Sequence, residues 1–219
     1  MIAVVDYRKG NVASVQRALA AAGADALITS DCARIADAEA IVLPGVGAFA
    51  DAAREMRASG QMEVLRQRIG QGVPFLGICL GLHLLFQYGI EGTDAPQDRF
   101  DLMERGLGIA PGAVLRMPDR GEDGRMFKVP HVGWNQVLFD EARPMLFDGI
   151  ESGENFYFTH SYIAPDSPST CATTLHSVSF PAAVSPLPHV FGVQFHPEKS
   201  SDAGAAFMGN FVRFVRSAS

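Results

Sequence analysis

The sequence predicts an α/β fold with a mixed, mainly parallel central sheet flanked by helices, and three observations carry that expectation. Short apolar runs alternate with helical patterns through the first half, the second half is rich in strand-like runs, and the last residues form one more amphipathic helix. The 219 residues fit a single domain, 1–219, long enough to bury about 70% of its unfolded-chain surface.

Taken in order, "IAVV" (2–5) reads as a buried strand, followed by a loop and a helix from about residue 11 with Val12, Val15, Leu19 and Ala22 on one face. Gly23 can close that helix. "ALIT" (26–29) and "AIVL" (40–43) are the next strands, the second running into "PGVGAF" and a long helical stretch over 49–72. "VPFLGI" (73–78) is a further strand, and the chain after Cys79 looks helical. Strand and helix alternating in this way imply parallel strands with helices on both faces. The polar stretch 89–112 is expected to be a surface excursion. Beyond it, "FKV", "NQVLF", "NFYFTH", "TCATTLH", "PAAVS" and "HVFGVQF" read as strands separated by Pro, Gly, Asp and Ser. A final helix places Ala203, Phe207, Phe211, Phe214 and Val215 on the side that packs on the sheet.

Composition excludes several classes. A hydrophobic fraction of 47% with 19% charged residues is that of a globular chain, and no window reaches the roughly 18 uninterrupted apolar residues of a membrane span. The net charge of -6 is scattered, with no basic block suited to a phosphate backbone. The first residues lack a secretory pattern, so a cytoplasmic location is expected. Cys32, Cys79 and Cys171 are odd in number and far apart, so each is judged as a thiol. His131, His176 and His189 show no ligand spacing; neither a metal nor a cofactor is expected.

"GICLG" (77–81) has the form of a nucleophile elbow with cysteine in place of serine. A tight strand-to-helix turn strains the central residue, and side chains two positions to either side would collide, hence the glycines. The thiol would sit at a helix start, where free N–H groups favour thiolate. Read alone, Cys79 is equally a small buried hydrophobe. "FHPE" supplies His196 and Glu198, two apart and so on one side of an extended backbone: a base for the thiol and a carboxylate to orient it. By itself the tripeptide is equally a polar turn. "LPGVGAF" ends a strand in Pro44, Gly45, Val46 and Gly47, freeing N–H groups that, with the N–H of Leu80, could form an oxyanion hole; a plain glycine loop is the alternative.

With these residues in place, the sequence resembles the class I glutamine amidotransferases, and among them the glutaminase subunits of imidazole glycerol phosphate synthase. "PGVGAF", "GICLG", "VPHVGWNQV", "YFTHSY" and "GVQFHPEKS" occur in that family's order across essentially the whole chain. The resemblance implies a three-layer, flavodoxin-like fold. It also implies that Cys79 attacks the glutamine side-chain amide to give a thioester and ammonia, with His196 as acid and base, Glu198 as its support, and backbone around His160, Ser161 and Tyr162 holding the substrate. Ammonia would pass to a (β/α)8-barrel cyclase partner in a heterodimer, which makes imidazole glycerol phosphate and a purine precursor in histidine biosynthesis. Asn11, Trp134, Asn135 and Lys199 would face that partner, although a lone lysine is also simply a solvated side chain.

Two residues depart from the family pattern. His83 stands where most relatives carry a glutamine that hydrogen-bonds the substrate. It is expected either to replace that contact in part, changing charge near pH 6.5, or to serve only in packing. The usual "DYGxGN" reads "DYRKGN", so Arg8 replaces a glycine in a loop that faces the partner in relatives. Rival readings are a paralogous subunit serving another synthase, a non-catalytic scaffold, and a cysteine hydrolase of γ-glutamyl substrates. The set Cys79, His196 and Glu198 argues against the scaffold.

Overall fold

A computed structural model describes residues 1–8, 10–140 and 144–218. The elements run β1 (Ile2–Val5), α1 (Val12–Ala21), β2 (Ala26–Thr29), α2 (Cys32–Ala36), β3 (Ala40–Gly45), α3 (Phe49–Ala58), α4 (Gln61–Gly70), β4 (Phe75–Cys79), α5 (Leu80–His83) and β5 (Phe86–Gly89). They continue with β6 (Glu104–Arg105), β7 (Ala110–Arg116), β8 (His131–Gln136), β9 (Asn155–His160), β10 (Tyr162–Ile163), β11 (Thr170–Leu175), β12 (Ser179–Leu187), β13 (Val190–Val193) and α6 (Ser201–Ala218).

The central sheet has the order β11-β12-β13-β4-β3-β1-β2. Pairings from β2 through β13 are parallel, and β12 and β11 add antiparallel strands at one edge. This is the mixed, mainly parallel sheet that the alternating pattern predicts. β1, β3 and β4 are buried at every position, because helices cover both faces and leave no polar side to the strands. One face carries α1 and α6: Val15 and Leu19 of α1 join Phe207, Phe211 and Val215 of α6 in a single core with Phe156, Phe158 and Phe195. The other carries α2, α3 and α4 through Ile35, Phe49, Met56 and Leu65. On α6, Gly204, Met208 and Val212 are buried beside the expected aromatic positions, whereas Ala203 and Phe214 are only partly covered.

Several expectations are corrected. The helical stretch over 49–72 is two helices, because Gly60 takes φ +81° and turns the chain between α3 and α4. The helix after Cys79 lasts one turn before β5 begins. The stretch 89–112 is not merely a surface excursion: β5, β6 and β7 join β10 in a second, four-stranded sheet, order β10-β7-β5-β6. Its strands are two to seven residues long and interrupted by polar residues, so no sustained period of two marks them. "FKV" forms no strand; neighbouring Met126 makes an isolated bridge to Arg120. The "NQVLF" strand lies earlier, as β8, and Leu138 makes only a bridge to Thr173. Among the described residues no helix is long and apolar enough to cross a membrane.

Candidate active site

Three adjacent parallel strands bring the site together at their carboxyl ends, where open α/β sheets bind ligands. β4 ends in Cys79, flanked in register by Gly45 of β3 on one side and by β13 on the other. Cys79 has φ +54° and ψ −105°, a conformation few side chains adopt. The steric reason for the elbow glycines is measurable. A Cβ on Gly77 would lie 2.4 Å from the Gly81 carbonyl oxygen, and one on Gly81 only 1.8 Å from the Leu43 carbonyl oxygen.

β13 stops at Val193, not at Phe195 as the sequence suggests, although the Gln194 N–H still donates to the Ala182 carbonyl at 2.9 Å. The chain then bends through a 3-10 turn at Pro197–Lys199. His196 and Glu198 therefore meet across a turn and not along an extended strand: His196 Nδ1 lies 2.9 Å from Glu198 Oε1, with both side chains almost fully buried. Burial opposes a charged imidazole, but the Cys79 sulfur and the Glu198 carboxylate outweigh it and raise His196 to about 9. The sulfur is close enough to bias the ring's charge, yet His196 Nε2 makes no hydrogen bond in this conformation. Such looseness is common before substrate arrives. Cys79 Sγ instead lies 3.9 Å from the Thr159 carbonyl and 3.8 Å from Gln194 Nε2.

A cavity of about 280 Å³ opens over the sulfur, lined by Val46, Gly47, Cys79, Leu80, His83, Glu91, Pro130, Thr159, His160, Ser161 and Tyr162. Nearly every residue singled out from the sequence for oxyanion or substrate contact is here. Gly45 stands behind the wall, packed so tightly on the Tyr7 hydroxyl that a Cβ would lie 1.8 Å from it. Tyr7, buried and with that hydroxyl unpartnered, is a neighbour the sequence reading did not identify. A larger groove of about 760 Å³ lies across the β11 edge; its one thiol, Cys171, is pushed up to about 12 by burial.

His83 is buried in the cavity wall, Nε2 at 2.7 Å from Gln194 Oε1. Its expected change of charge near pH 6.5 is corrected: burial outweighs the Gln194 and Tyr162 contacts and lowers it to about 4. The ring is neutral at pH 7. His160 is also neutral, lowered by burial. Its Nδ1 lies 2.9 Å from the Tyr162 carbonyl, which only accepts, so Nδ1 carries the proton and Nε2 accepts from His131 Nδ1 at 3.1 Å. His131 Nε2 then accepts from Asn135 Nδ2 at 3.3 Å, and Asn135 also donates to the Leu175 carbonyl at 2.8 Å. Burial, then the nearby His176, lowers His131 to about 4.

These shifts set a stability window. Each depressed histidine contributes stability that is present above the ordinary value of 6.5 and lost as the pH falls through its folded value. The unfolding free energy is expected to fall between pH 6.5 and about 4, with His83 steepening the slope by up to about 1.4 kcal/mol per pH unit. Urea unfolding across that range checks it: His83→Gln should flatten the slope, and an unchanged slope would contradict a neutral, buried His83.

Glu91 was hidden in the polar stretch that resembled a loop. It closes the cavity, its carboxyl raised to about 7 by burial against the Phe49 backbone contact that lowers it. Gln194 did carry a signal, a polar residue inside the apolar run "HVFGVQF". The residues expected at a partner surface are placed less uniformly. Asn11 and Lys199 are exposed, Lys199 Nζ lying 5.7 Å from the Tyr157 ring centre. Trp134 is 52% exposed, beside Val132 at 55%, and Asn135 is turned inward to His131. Arg8 takes φ +68°, which glycine adopts freely and arginine does not, and its guanidinium points outward near Glu55. Lys9, in the same loop, lies outside the described residues.

The class-I glutamine amidotransferase family model matches residues 3–214. "Imidazole glycerol phosphate synthase subunit HisH" of Syntrophotalea carbinolica is 42% identical, covering 96% of this chain and 98% of its own. The protein of the same name from Rhodopirellula baltica is 44% identical, covering 97% of each chain. A solved structure described as a glutamine amidotransferase superposes with a TM-score of 0.71 at 17% identity, over 99% of this chain and all of its own, which shows the shared fold. A strained cysteine elbow beside a buried His–Glu pair, in a chain this similar over its length, places it with them: the chain belongs to the class-I glutamine amidotransferase family, among the HisH subunits of imidazole glycerol phosphate synthase.

Proposed function

We propose that the chain, acting as one domain over 1–219, is the glutaminase subunit of an imidazole glycerol phosphate synthase and hydrolyses glutamine through a Cys79 thioester. The observation that carries this is the juxtaposition at the end of β4: Cys79 at φ +54° beneath a cavity of about 280 Å³, with His196 held by Glu198 at 2.9 Å on the adjoining strand end.

Cys79 Sγ attacks the side-chain carbonyl carbon of glutamine, and the oxygen takes the charge. Backbone N–H groups of Leu80 and of the segment Gly45, Val46 and Gly47 stabilise that oxyanion; Leu80, Val46 and Gly47 line the cavity beside the sulfur. His196, held protonated by its neighbours, gives its proton to the departing nitrogen, so ammonia leaves and a thioester remains. Water, deprotonated by His196, then releases glutamate. Glu91 suits the α-ammonium of glutamine, because a carboxylate in a half-buried wall gains most from a cation beside it. Ser161, Tyr162 and their backbone close the opposite wall, with the Tyr162 carbonyl fixed by His160.

Ammonia released into neutral water is protonated and loses its nucleophilicity, so a coupled acceptor is the economical arrangement. The names of the relatives imply a partner subunit, and the resemblance indicates a (β/α)8-barrel cyclase. Exposed Val132 and Trp134 on β8 support an interface there, aromatic anchors being favoured at such surfaces. Three unpaired thiols accord with a cytoplasmic setting. A flip within the Gly45 to Gly47 segment, where Gly47 takes φ +98°, would let the partner complete the oxyanion hole. Glutamate release should be slow from the chain alone and rise at least tenfold on adding the cyclase and its nucleotide ligand. Equal rates in both conditions would overturn the coupled reading.

A further inference from the structure

We propose that Gln194 is a positioning residue for the nucleophile: it donates Nε2–H to the Cys79 sulfur while His83 holds its Oε1, so that His83 acts on Cys79 through Gln194.

Gln194 is fully buried, with one end of its amide 3.8 Å from Cys79 Sγ and the other 2.7 Å from His83 Nε2. An amide has fixed polarity, nitrogen donating and oxygen accepting. The sulfur directs any proton it carries to the Thr159 carbonyl at 3.9 Å, so toward Gln194 it presents a lone pair and selects the orientation with nitrogen toward sulfur; the reverse sets an oxygen lone pair against it. Once nitrogen faces sulfur, Oε1 must accept, and the proton it accepts is on His83 Nε2. A neutral His83 with its proton on Nε2 offers only a donor there, which locks the amide. Glutamine at position 83 would present either polarity and lock nothing. His83 is thus neither a direct substitute for a substrate-binding glutamine nor inert packing; it fixes the orientation of a neighbour.

Other groups face the same atoms. His196 and Tyr7 act on the sulfur. His160 lies beside His83, whose ring also approaches the Tyr162 carbonyl. That carbonyl has two lone pairs and accepts from His160 Nδ1 at 2.9 Å; what sets the His83 proton on Nε2 is the 2.7 Å contact to Gln194 Oε1, an atom that only accepts. Burial keeps His83 uncharged over the working range. The link rests on the reading of Cys79 as nucleophile, yet it is tested by a tautomer and a reactivity profile, neither of which requires turnover. Loss of activity on replacing Cys79 tests the other reading.

Nitrogen-15 NMR of the histidine-labelled wild-type chain at pH 7 should show His83 with its proton on Nε2; a proton on Nδ1 would overturn the proposal without any variant. Iodoacetamide labelling of Cys79, resolved from Cys32 and Cys171 by peptide mass spectrometry, should then be followed against pH. Gln194→Glu, which replaces the donor by a second acceptor, should move the Cys79 profile at least one unit to higher pH, a tenfold loss of reactivity at fixed pH. His83→Gln should move it by less, and should add nothing in a Gln194→Met background. Coincident wild-type and Gln194→Glu profiles, or an undiminished His83→Gln effect in that background, would overturn it.

Discussion

Cys79→Ala is expected to lower glutamine hydrolysis by at least about 10⁴-fold, the loss typical when a covalent nucleophile is removed from a site whose other members act through it. Stability should change little, and the sign of a second comparison is diagnostic. At an ordinary position alanine is more stable than glycine by about 0.5–1 kcal/mol, because glycine loses more freedom on folding. At φ +54° and ψ −105° the order reverses: glycine relaxes into this conformation and alanine is strained. Cys79→Gly is therefore expected to be more stable than Cys79→Ala by about 1 kcal/mol or more, while both are inactive. Urea midpoints of the two variants and a glutamate-release assay check both statements. Turnover within about tenfold of the wild type in either variant would remove Cys79 from the chemistry, and the usual alanine preference would mean that the elbow is unstrained.

Gly81→Ala is expected to cost the most stability of any single-methyl addition at the site. The new Cβ would stand 1.8 Å from the Leu43 carbonyl oxygen, a backbone atom of β3 that cannot rotate away. β3 is buried along its length and paired to β1 on its other side, so the shift must be taken up by β4 and the elbow. Overpacking of this kind costs about 3 kcal/mol or more, and it displaces Cys79 relative to His196 and to the Val46 and Gly47 wall. Activity should fall with it by more than about 100-fold, since a displacement of about 1 Å carries such a cost. A control is Gly70→Ala, where nothing lies within 4 Å and helix propensity favours alanine. That variant should be neutral or slightly stabilised, and a comparable loss at both positions would show that the elbow is not specially tight.

Local chemistry was legible in the chain. The apolar runs of β1, β3 and β4 announce strands buried on both faces, because a fully covered strand has no polar side to show. The glycines two positions either side of Cys79 announce the elbow, since their reason is a clash between residues close in sequence and a neighbouring strand. The spacing of His196 and Glu198 announces their pairing, although the structure reaches it through a turn that Pro197 opens and not through a strand. What stayed hidden depends on distance along the chain. β5 and β7 were missed because short strands interrupted by polar residues take their conformation from a partner sheet and not from their own pattern. Glu91 sat in a stretch indistinguishable from a loop until β5 delivered it to the cavity.

The sequence by itself determined the strand-and-helix alternation, the form of the elbow, and the candidates for nucleophile, base and orienting carboxylate, because each shows in residue types and spacings a few positions long. Only the tertiary structure decided the state of His83. Its charge and its partner follow from burial and from Gln194, 111 residues away, brought alongside because β13 pairs with β4. A titratable group takes its pKa and tautomer from whatever the fold packs around it, and no local pattern encodes that.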